Sequence, residues 1–301
     1  MKKHTILHAA PAVAALSLAA ALAGCAAAAP AASASSVSTA LAASTADTAA
    51  TGSFRTLQEI KDSGTVNIGV FSDKAPFGYV DANGAYQGYD VYFGNRIGQD
   101  LGVKVNYLPV DPASRVAFLE TGKVDIILAN FTVTPERAEK VDFALPYMKV
   151  ALGVVSPDSA AVTDVSQLKG KTLIVAKGTT AETYFEANAP DVTLQKYDQY
   201  ADAYNALLDG RGDAFSTDNT EVLAWALANP GFTVGIQSLG DVDTIAPAVT
   251  KGNATLLDWI NREIKTLGTE NFFHADYDKT LAPVYGTAAS PDELVVEGGA
   301  V

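Results

Sequence analysis

The sequence predicts an α/β protein with two lobes. Its 301 residues are enough for two domains of ordinary size, and 48% apolar content with only 18% charged residues can fill two cores. From residue 54 onward, short β-branched runs alternate with helical patterns, which is the order expected of α/β units.

Strands and helices can be assigned in chain order from these patterns. Runs rich in β-branched residues predict strands, and residues that cap helices predict where helices begin. The predicted strands are 65–71, 103–108, 124–129, 149–155, 172–176, 193–197, 213–216, 232–236 and 245–250. The predicted helices are one capped by Asp90 that ends near Leu101, one over 112–120 opened by Asp111 and Pro112, a short one opened by Thr134 and Pro135, one from Asp218 or Asn219 to Ala228, and one from Asn253 to Leu267.

The charge balance and the scarcity of cysteine and histidine exclude several classes of function. The chain has 34 acidic and 21 basic residues, and this net charge of −13 disfavours nucleic acid or anionic lipid headgroups as the main partner. It has a single cysteine, Cys25, and only His274 among its three histidines lies beyond the first eight residues. We therefore expect no intrachain disulfide, no metal site, no cofactor and no Ser-His or Cys-His catalysis.

The first 24 residues have the features of a secretory signal. Lys2 and Lys3 form a basic start, an apolar stretch runs from Ala9 to Leu22, and small residues lead directly to Cys25. Leu22-Ala23-Gly24-Cys25 resembles the bacterial lipobox, which implies cleavage before Cys25 and lipidation of its thiol. The alternatives are a plain signal peptide with an incidental cysteine and a membrane span, although the apolar run is shorter than the ~20 residues that a span needs.

Residues 25–53 are expected to form a lipidated, flexible tether. Positions 26–53 hold 13 alanines, 6 serines and 4 threonines among 28 residues, with almost no large apolar group. Such a segment cannot bury enough surface to offset the entropy of ordering it. The folded part is therefore expected to begin near Phe54.

Three later segments place polar residues where a predicted strand meets a helix start. They are 124–137 (VDIILANFTVTPER), 173–184 (LIVAKGTTAETY) and 212–221 (GDAFSTDNTE). Ligands of open α/β sheets bind beyond the carboxyl ends of strands, near free N–H groups of helices. The charges suit a free amino acid: Arg137 with Thr132 and Thr180 for the α-carboxylate, and Asp218 for the α-ammonium.

The same residues carry a family resemblance that covers nearly all of 54–287. The segments are IGVFSDKAPFGYV (68–80), GYDV (88–91), DIILANFTVTPERAEKVDF (125–143), KGTTAETYF (177–185) and RGDAFSTDN (211–219). They resemble the family 3 solute-binding proteins, the amino-acid receptors of ABC importers, which have the two-lobed type II periplasmic-binding-protein fold with two hinge strands. The resemblance implies that Arg137 holds the carboxylate with Thr132 and the backbone at Thr179 and Thr180, and that the Asn130 carbonyl assists Asp218.

The ligand's side chain is the least determined feature. Phe71 and Lys74 occupy positions where family members that bind basic amino acids often have an acid and an aromatic residue, so a cationic ligand is not expected. Lys74 precedes Ala75-Pro76 in a turn that we expect to be exposed, which makes an acidic ligand the weaker expectation. Stretches such as PYMKVALGV (146–154) resemble cysteine-binding lipoproteins, which implies cysteine, with cystine or glutamate and aspartate as alternatives. The aromatic candidates for the pocket wall are Phe71, Tyr79, Phe131 and Tyr147.

The resemblance also implies a domain layout and partners. Lobe 1 is expected at 54–150 and 245–288, lobe 2 at 151–244, and hinge crossings near Lys149 and Ile245. A C-terminal tail follows at 289–301, and the chain from Thr287 on is expected to pack loosely. We expect a monomer anchored to the cell membrane through Cys25, facing the periplasm or the extracellular space, that delivers a free L-amino acid to an ABC permease and ATPase.

Two rival functions remain at this level. The family also resembles cyclohexadienyl dehydratases, which need a second cleft carboxylate to move a proton, and Asp73 and Glu182 are the candidates for that carboxylate. A sensory or adhesive surface protein could use the same fold without a transporter. We expect a binding protein and not an enzyme.

Overall fold

The computed structural model describes residues 53–300. The predictions of a signal sequence, of lipidation at Cys25 and of a tether lie outside the described residues, apart from Ser53. Within the described range, no helix is both long enough and apolar enough to cross a bilayer.

The described chain alternates between strands and helices, as the sequence predicts for an α/β protein. The strands are β1 Thr65–Val70, β2 Asp73–Lys74, β3 Gly78–Val80, β4 Tyr86–Gln87, β5 Lys104–Pro109, β6 Ile126–Ile127, β7 Val141–Phe143, β8 Met148–Pro157, β9 Thr172–Ala176, β10 Thr193–Tyr197, β11 Ala214–Asp218, β12 Phe232–Ile245 and β13 Ala248–Thr250. The α-helices are α1 Leu57–Ser63, α2 Tyr89–Leu101, α3 Arg115–Glu120, α4 Pro135–Ala138, α5 Thr180–Asn188, α6 Tyr200–Leu208, α7 Asn219–Ala228, α8 Ala254–Thr269, α9 Phe272–Thr280, α10 Ala282–Tyr285 and α11 Pro291–Leu294. Short 3₁₀ turns cover Pro112–Ser114, Asp158–Ala160, Val165–Leu168 and Glu297–Gly299.

The strands form two five-stranded sheets and one small sheet. The first sheet has the order β5-β1-β6-β13-β7, and the second has the order β10-β9-β11-β8-β12. In each, three neighbouring strands are parallel and the remaining pairings are antiparallel. The third sheet, β2-β3-β4, consists of short antiparallel strands. The chain passes from the first sheet to the second between Phe143 and Met148 and returns between Ile245 and Ala248, while the predicted lobe boundaries themselves stay a prediction.

Among the strands, β12 and β6 differ most in length from their predictions. β12 continues to Ile245, well beyond the predicted end at 236, because it pairs along β8 with three irregularities in register. Its second half is polar, so no apolar run marks it as a strand. β6 contains only Ile126 and Ile127 of the predicted 124–129, because the residues that follow leave the sheet.

The start of α2 also differs from its prediction. The residue that precedes the helix is Gly88, with φ of +117°, and Asp90 lies inside the first turn. A side chain at Gly88 would bring its Cβ within 2.4 Å of the Phe77 carbonyl oxygen, so the close approach of these two segments requires glycine. Asp90 is fully buried and accepts hydrogen bonds from other elements. The prediction that Asp90 caps the helix is therefore wrong.

The end of the C-terminal segment, from Val295 to Glu297, packs against the core, which corrects the expectation of a loose tail there. Val295 and Val296 are buried, and Val296 N–H donates to the Tyr147 carbonyl at 3.0 Å. The Glu297 carboxylate accepts hydrogen bonds from the backbone N–H groups of Phe273 and His274, at 3.2 and 3.0 Å, where α9 begins. The two valines therefore attach this segment to the core and to the start of β8, and Glu297 attaches it to the start of α9.

Candidate ligand-binding site

The candidate site lies where strands of both sheets end and helices begin. Arg137 is on α4, which Thr134 caps by accepting a hydrogen bond from the Arg137 N–H at 3.3 Å. Asp218 ends β11 and precedes α7. Gly178 lies in the turn between β9 and α5, and Thr179 caps α5. Side-chain caps therefore position the Arg137 and Gly178 segments, the end of β11 positions Asp218, and the tertiary structure brings the three segments together.

Two arginines converge on one carbonyl of this turn. Arg137 donates to the Gly178 carbonyl at 2.9 Å and to the Thr132 carbonyl at 2.7 Å. Arg115, at the start of α3, donates to the same Gly178 carbonyl at 3.2 Å and to the Ala129 carbonyl at 3.0 Å. Arg115 is not among the predicted site residues, although it lies in the first turn of a helix that follows a strand, as Arg137 was expected to.

Both guanidinium groups lie against an aromatic ring, and neither has an acidic partner among the residues that the structure describes. Phe131 lies beneath them, with its ring centre 4.4 Å from the Arg115 guanidinium carbon and 4.8 Å from that of Arg137. Burial, together with the neighbouring positive charge of Arg137, lowers the pKa of Arg115 to about 9. Burial also lowers the pKa of Arg137. Within residues 53–300 the hydrogen bonds of both groups go to backbone carbonyls. Such a pair favours an anionic group from outside the chain.

Lys74 forms a buried ion pair with the carboxylate of Asp218. This pairing corrects the expectation that Lys74 is exposed. Its side chain is 1% exposed, and its Nζ lies 3.0 Å from Asp218 Oδ2 and 2.6 Å from Asn130 Oδ1. The ammonium also lies 4.7 Å from the centre of the Tyr200 ring. Burial by itself lowers the pKa of Lys74, but the nearby acidic groups, Asp218 first, outweigh burial and raise it above its ordinary value. Lys74 is buried because an acid, an amide and aromatic rings replace its water.

Glu221 is a second carboxyl group beside Lys74. It is 1% exposed, and its Oε1 accepts a hydrogen bond from the Tyr204 hydroxyl. Its Oε2 has no hydrogen-bond partner within residues 53–300 and lies 3.9 Å from Lys74 Nζ. Burial raises the pKa of Glu221 to about 8, against the lowering effect of Lys74. The sequence analysis included Glu221 at the end of the 212–221 segment but assigned it no role.

Asn130 is held in an unusual backbone conformation by Asp90. Its φ is +44°, and its N–H donates to Asp90 Oδ2 at 2.8 Å. The Tyr147 hydroxyl donates to the other oxygen of Asp90 at 2.6 Å. Burial raises the pKa of Asp90 to about 6. These bonds orient Asn130 toward Lys74 and Asp218.

Tyr147, a candidate for the wall of the ligand pocket, lies in the protein core. It is fully buried and stacks on Phe273 with ring centres 5.9 Å apart, and its hydroxyl is engaged by Asp90. Its surroundings are the core beneath Asn130 and not a pocket for a ligand side chain.

The other predicted site residues divide into two groups. Phe71 is buried against Tyr200, with ring centres 5.4 Å apart, and lies 5.5 Å from both the Lys74 Nζ and the Arg115 guanidinium carbon. Thr179 is buried and its hydroxyl donates to the Ala176 carbonyl at 2.7 Å, which fixes the start of α5. Thr180 and Tyr79 are partly exposed, and no described hydrogen bond joins their side chains to the site.

A cavity of about 290 Å³ lies away from these groups. Residues of β8, β12, the start of α7 and the C-terminal segment line it, and none of the predicted site residues does. The charged groups and not this cavity define the candidate site.

Comparison with known proteins identifies the family. Residues 66–281 match the model of the bacterial extracellular solute-binding proteins, family 3. The chain belongs to this family. Its members function outside the cytoplasm, which agrees with the expected extracytoplasmic location.

Solved structures of this family support the fold. A solute receptor for L-cysteine of Neisseria gonorrhoeae is 52% identical with a TM-score of 0.80, over 81% of this chain and 100% of that one. A cysteine-binding protein from Campylobacter jejuni is also 52% identical, with a TM-score of 0.79, over 80% of this chain and 98% of that one. The glutamine-binding protein GlnH of an ABC transporter of Bacillus subtilis is 28% identical over 75% of this chain and 84% of its own length. The predicted two-lobed type II periplasmic-binding-protein fold is confirmed.

Proposed function

We propose that this protein captures a free L-amino acid, cysteine, between its two lobes and delivers it to an ABC importer. The observation that carries the proposal is the pair of guanidinium groups of Arg115, which is buried, and Arg137, which is half-buried; within the described chain the pair lacks a carboxylate partner. A ligand's α-carboxylate supplies the missing charge and accepts N–H groups in the planar arrangement that a guanidinium offers.

The other end of the ligand is assigned to Asp218. Its carboxylate lies at the N-terminus of α7 and is 5% exposed, so a bound ammonium there is shielded from water and salt. Asp218 comes from the second sheet, and Arg137 lies on α4, directly before β7 of the first sheet. A zwitterion that binds both therefore stabilises the closed arrangement of the lobes.

Cysteine is proposed because two cysteine receptors are 52% identical to this chain. Cystine, glutamate and aspartate are the alternatives. The burial of Lys74 removes the sequence argument against an acidic ligand, because that argument treated Lys74 as exposed. Titration calorimetry of ligand-stripped protein with each of the twenty amino acids and cystine, with cysteine kept reduced, tests the choice. Cysteine should bind at micromolar affinity or better, and tenfold tighter binding of glutamate, aspartate or arginine would overturn the assignment.

Two variants test separately the residues proposed to bind the ligand's carboxylate and ammonium groups. Loss of one partner of a buried charge pair costs about 2 to 5 kcal/mol, so Arg137→Ala should weaken cysteine binding roughly 30-fold or more. Asp218→Asn keeps the size of the side chain and should weaken binding comparably. Circular dichroism should show that both variants are folded. Unchanged affinity in both variants contradicts the zwitterion arrangement.

Membrane anchoring through Cys25 is the remaining part of the proposal. Leu22-Ala23-Gly24 before the single cysteine of the chain supports it. Cys25→Ser should release the full-length protein from membranes and leave amino-acid affinity unchanged, because the anchor lies outside the folded part. Membrane fractionation and calorimetry measure the two effects, and a variant that stays tightly membrane-bound argues against lipidation.

A second candidate function is a dehydratase reaction in the same cleft. Glu221 supports it, because a buried carboxyl group with a pKa of about 8 and one oxygen without a hydrogen bond suits proton transfer. The two acids that the sequence suggested are engaged elsewhere, Asp73 with the Ala201 N–H at 2.9 Å and Glu182 with the Gly178 N–H at 2.6 Å. Incubation with prephenate or arogenate, followed by ultraviolet absorption of aromatic products, separates this function from binding.

A further inference from the structure

We propose that Lys74 competes with the ligand's α-ammonium group for Asp218, and that Lys74 pairs with Glu221 when an amino acid binds. The inference rests on the proposed function, because it takes Asp218 as the partner of the ligand's ammonium group. It adds two positioning residues, and it predicts that binding releases a proton.

The first step concerns the position that Lys74 occupies. Its Nζ lies 3.0 Å from Asp218 Oδ2 and 2.6 Å from Asn130 Oδ1. We call the position within hydrogen-bond distance of these two oxygens the ammonium seat. A lysine ammonium has the same charge and the same three N–H donors as the α-ammonium of an amino acid. The two cations therefore compete for the same oxygens. An entering ligand must displace Lys74 or share Asp218 with it.

The second step is the presence of an alternative partner for Lys74. Glu221 Oε2 is buried, has no hydrogen-bond partner in the described part of the chain and lies 3.9 Å from Lys74 Nζ. A charged hydrogen bond between these atoms needs a separation of about 2.7–2.9 Å, so a shift of roughly 1 Å by the flexible lysine stem is enough. The Tyr204 hydroxyl donates a hydrogen bond to Glu221 Oε1, so Oε2 stays directed toward the ammonium group of Lys74.

The third step is the charge of Glu221. Lys74 and Asp73 face it from β2, Tyr200 and Tyr204 from α6, Tyr285 from α10, and Asp218 from β11. With Lys74 in the ammonium seat, burial holds the pKa of Glu221 at about 8, so its carboxyl group is mostly protonated at neutral pH. The approach of Lys74 stabilises the ionised form and lowers this pKa. A neutral zwitterion enters, its ammonium balances Asp218, and the Glu221 proton leaves to solvent as Lys74 balances the new carboxylate.

The test is the number of protons released when cysteine binds. Calorimetry of the full protein at pH 7, in two buffers with different ionisation enthalpies, should give a release that approaches one proton for each bound ligand. Affinity should rise with pH between 6 and 7.5, by up to about tenfold per pH unit, because the deprotonated form of Glu221 favours the bound state. Glu221→Gln should abolish both the proton release and the pH dependence.

A second variant tests whether Lys74 competes with the ligand's ammonium group for Asp218 or contacts the ligand directly. Lys74→Met keeps a similar length but removes the charge, so cysteine should bind at least as tightly as in the wild type and without proton release. Adding Glu221→Gln to this variant should change affinity by less than about twofold, because no lysine then needs the second partner. Lys169→Met is the matched control, since Lys169 is 75% exposed and pairs with Asp191 on the surface.

The outcomes distinguish the switch from the function on which it rests. A wild-type protein that binds no amino acid overturns the proposed function and the switch with it. Tight binding without proton release, or with the same release in Glu221→Gln, overturns the switch alone. Binding that is at least tenfold weaker in Lys74→Met also overturns it, because Lys74 then contacts the ligand directly.

Discussion

Gly178→Ala should prevent the two lobes from closing fully. Gly178 lies in the β9–α5 turn of the second sheet, with φ of +74°. An added Cβ would lie 2.5 Å from Ala113 Cα and 2.7 Å from Ala113 N, in the 3₁₀ turn after β5 of the first sheet. These atoms are backbone, so no side chain can rotate out of the way. The two segments must therefore separate by roughly 1 Å to reach ordinary van der Waals distance.

The magnitude follows from the hydrogen bonds that this separation breaks. The Gly178 carbonyl accepts from Arg137 at 2.9 Å and from Arg115 at 3.2 Å, and neither bond survives stretching by about 1 Å. A hydrogen bond to a charged group contributes about 1.5–3 kcal/mol. Loss of both bonds from the closed state therefore costs at least about 3 kcal/mol, which should weaken amino-acid binding roughly 150-fold or more. The positive φ adds a cost of about 1 kcal/mol in the open and closed states alike, so it lowers stability and not affinity.

Gly170→Ala is the matched control for this experiment. Gly170 has φ of +71°, and nothing lies within 4 Å of an added Cβ. Both variants should lose similar free energy of unfolding in denaturant titrations, while only Gly178→Ala should lose affinity in calorimetry. If the two variants bind cysteine equally tightly, the close approach of Gly178 and Ala113 is not part of the ligand-bound state, and the reasoning is refuted.

Two further predictions concern buried groups away from the ligand. Burial raises the pKa of Asp90 from 3.8 to about 6, so ionisation costs the folded state stability as pH rises through this window. Asp90→Asn should therefore gain about 2 to 3 kcal/mol of unfolding free energy relative to the wild type between pH 4 and pH 7 in denaturant titrations, and parallel pH profiles would contradict this. Val296→Ala should lower the unfolding free energy by about 2 kcal/mol, since Val296 is 1% exposed, whereas Val242→Ala, at a position 67% exposed, should stay within about 0.5 kcal/mol. Equal melting temperatures for the two valine variants would show that the C-terminal segment is not part of the core.

Local signals account for the parts of the fold that sequence reasoning predicted. Most strands follow β-branched runs, and α4, α7 and α8 begin at the residues that were expected to cap or open them. Arg137 and Asp218 could be selected because each stands within a few residues of such a start. These features depend on neighbours along the chain, so the amino-acid order alone determines them.

Only the tertiary structure decided the environment of the buried charges. Lys74 and Asp218 are 144 residues apart in the chain, and no local pattern announces that the lysine of a short turn will reach an acid on the other sheet. Arg115 gains its role from the Gly178 carbonyl, 63 residues away, and the C-terminal valines gain theirs from β8. The cost of burying a charge or the gain from burying a methyl group is set by the groups that replace water around it, and those groups come from distant parts of the chain. The sequence by itself determined most of the long strands, several helix starts, the family and the two residues proposed for the ends of the ligand, whereas folding determined which charges face each other.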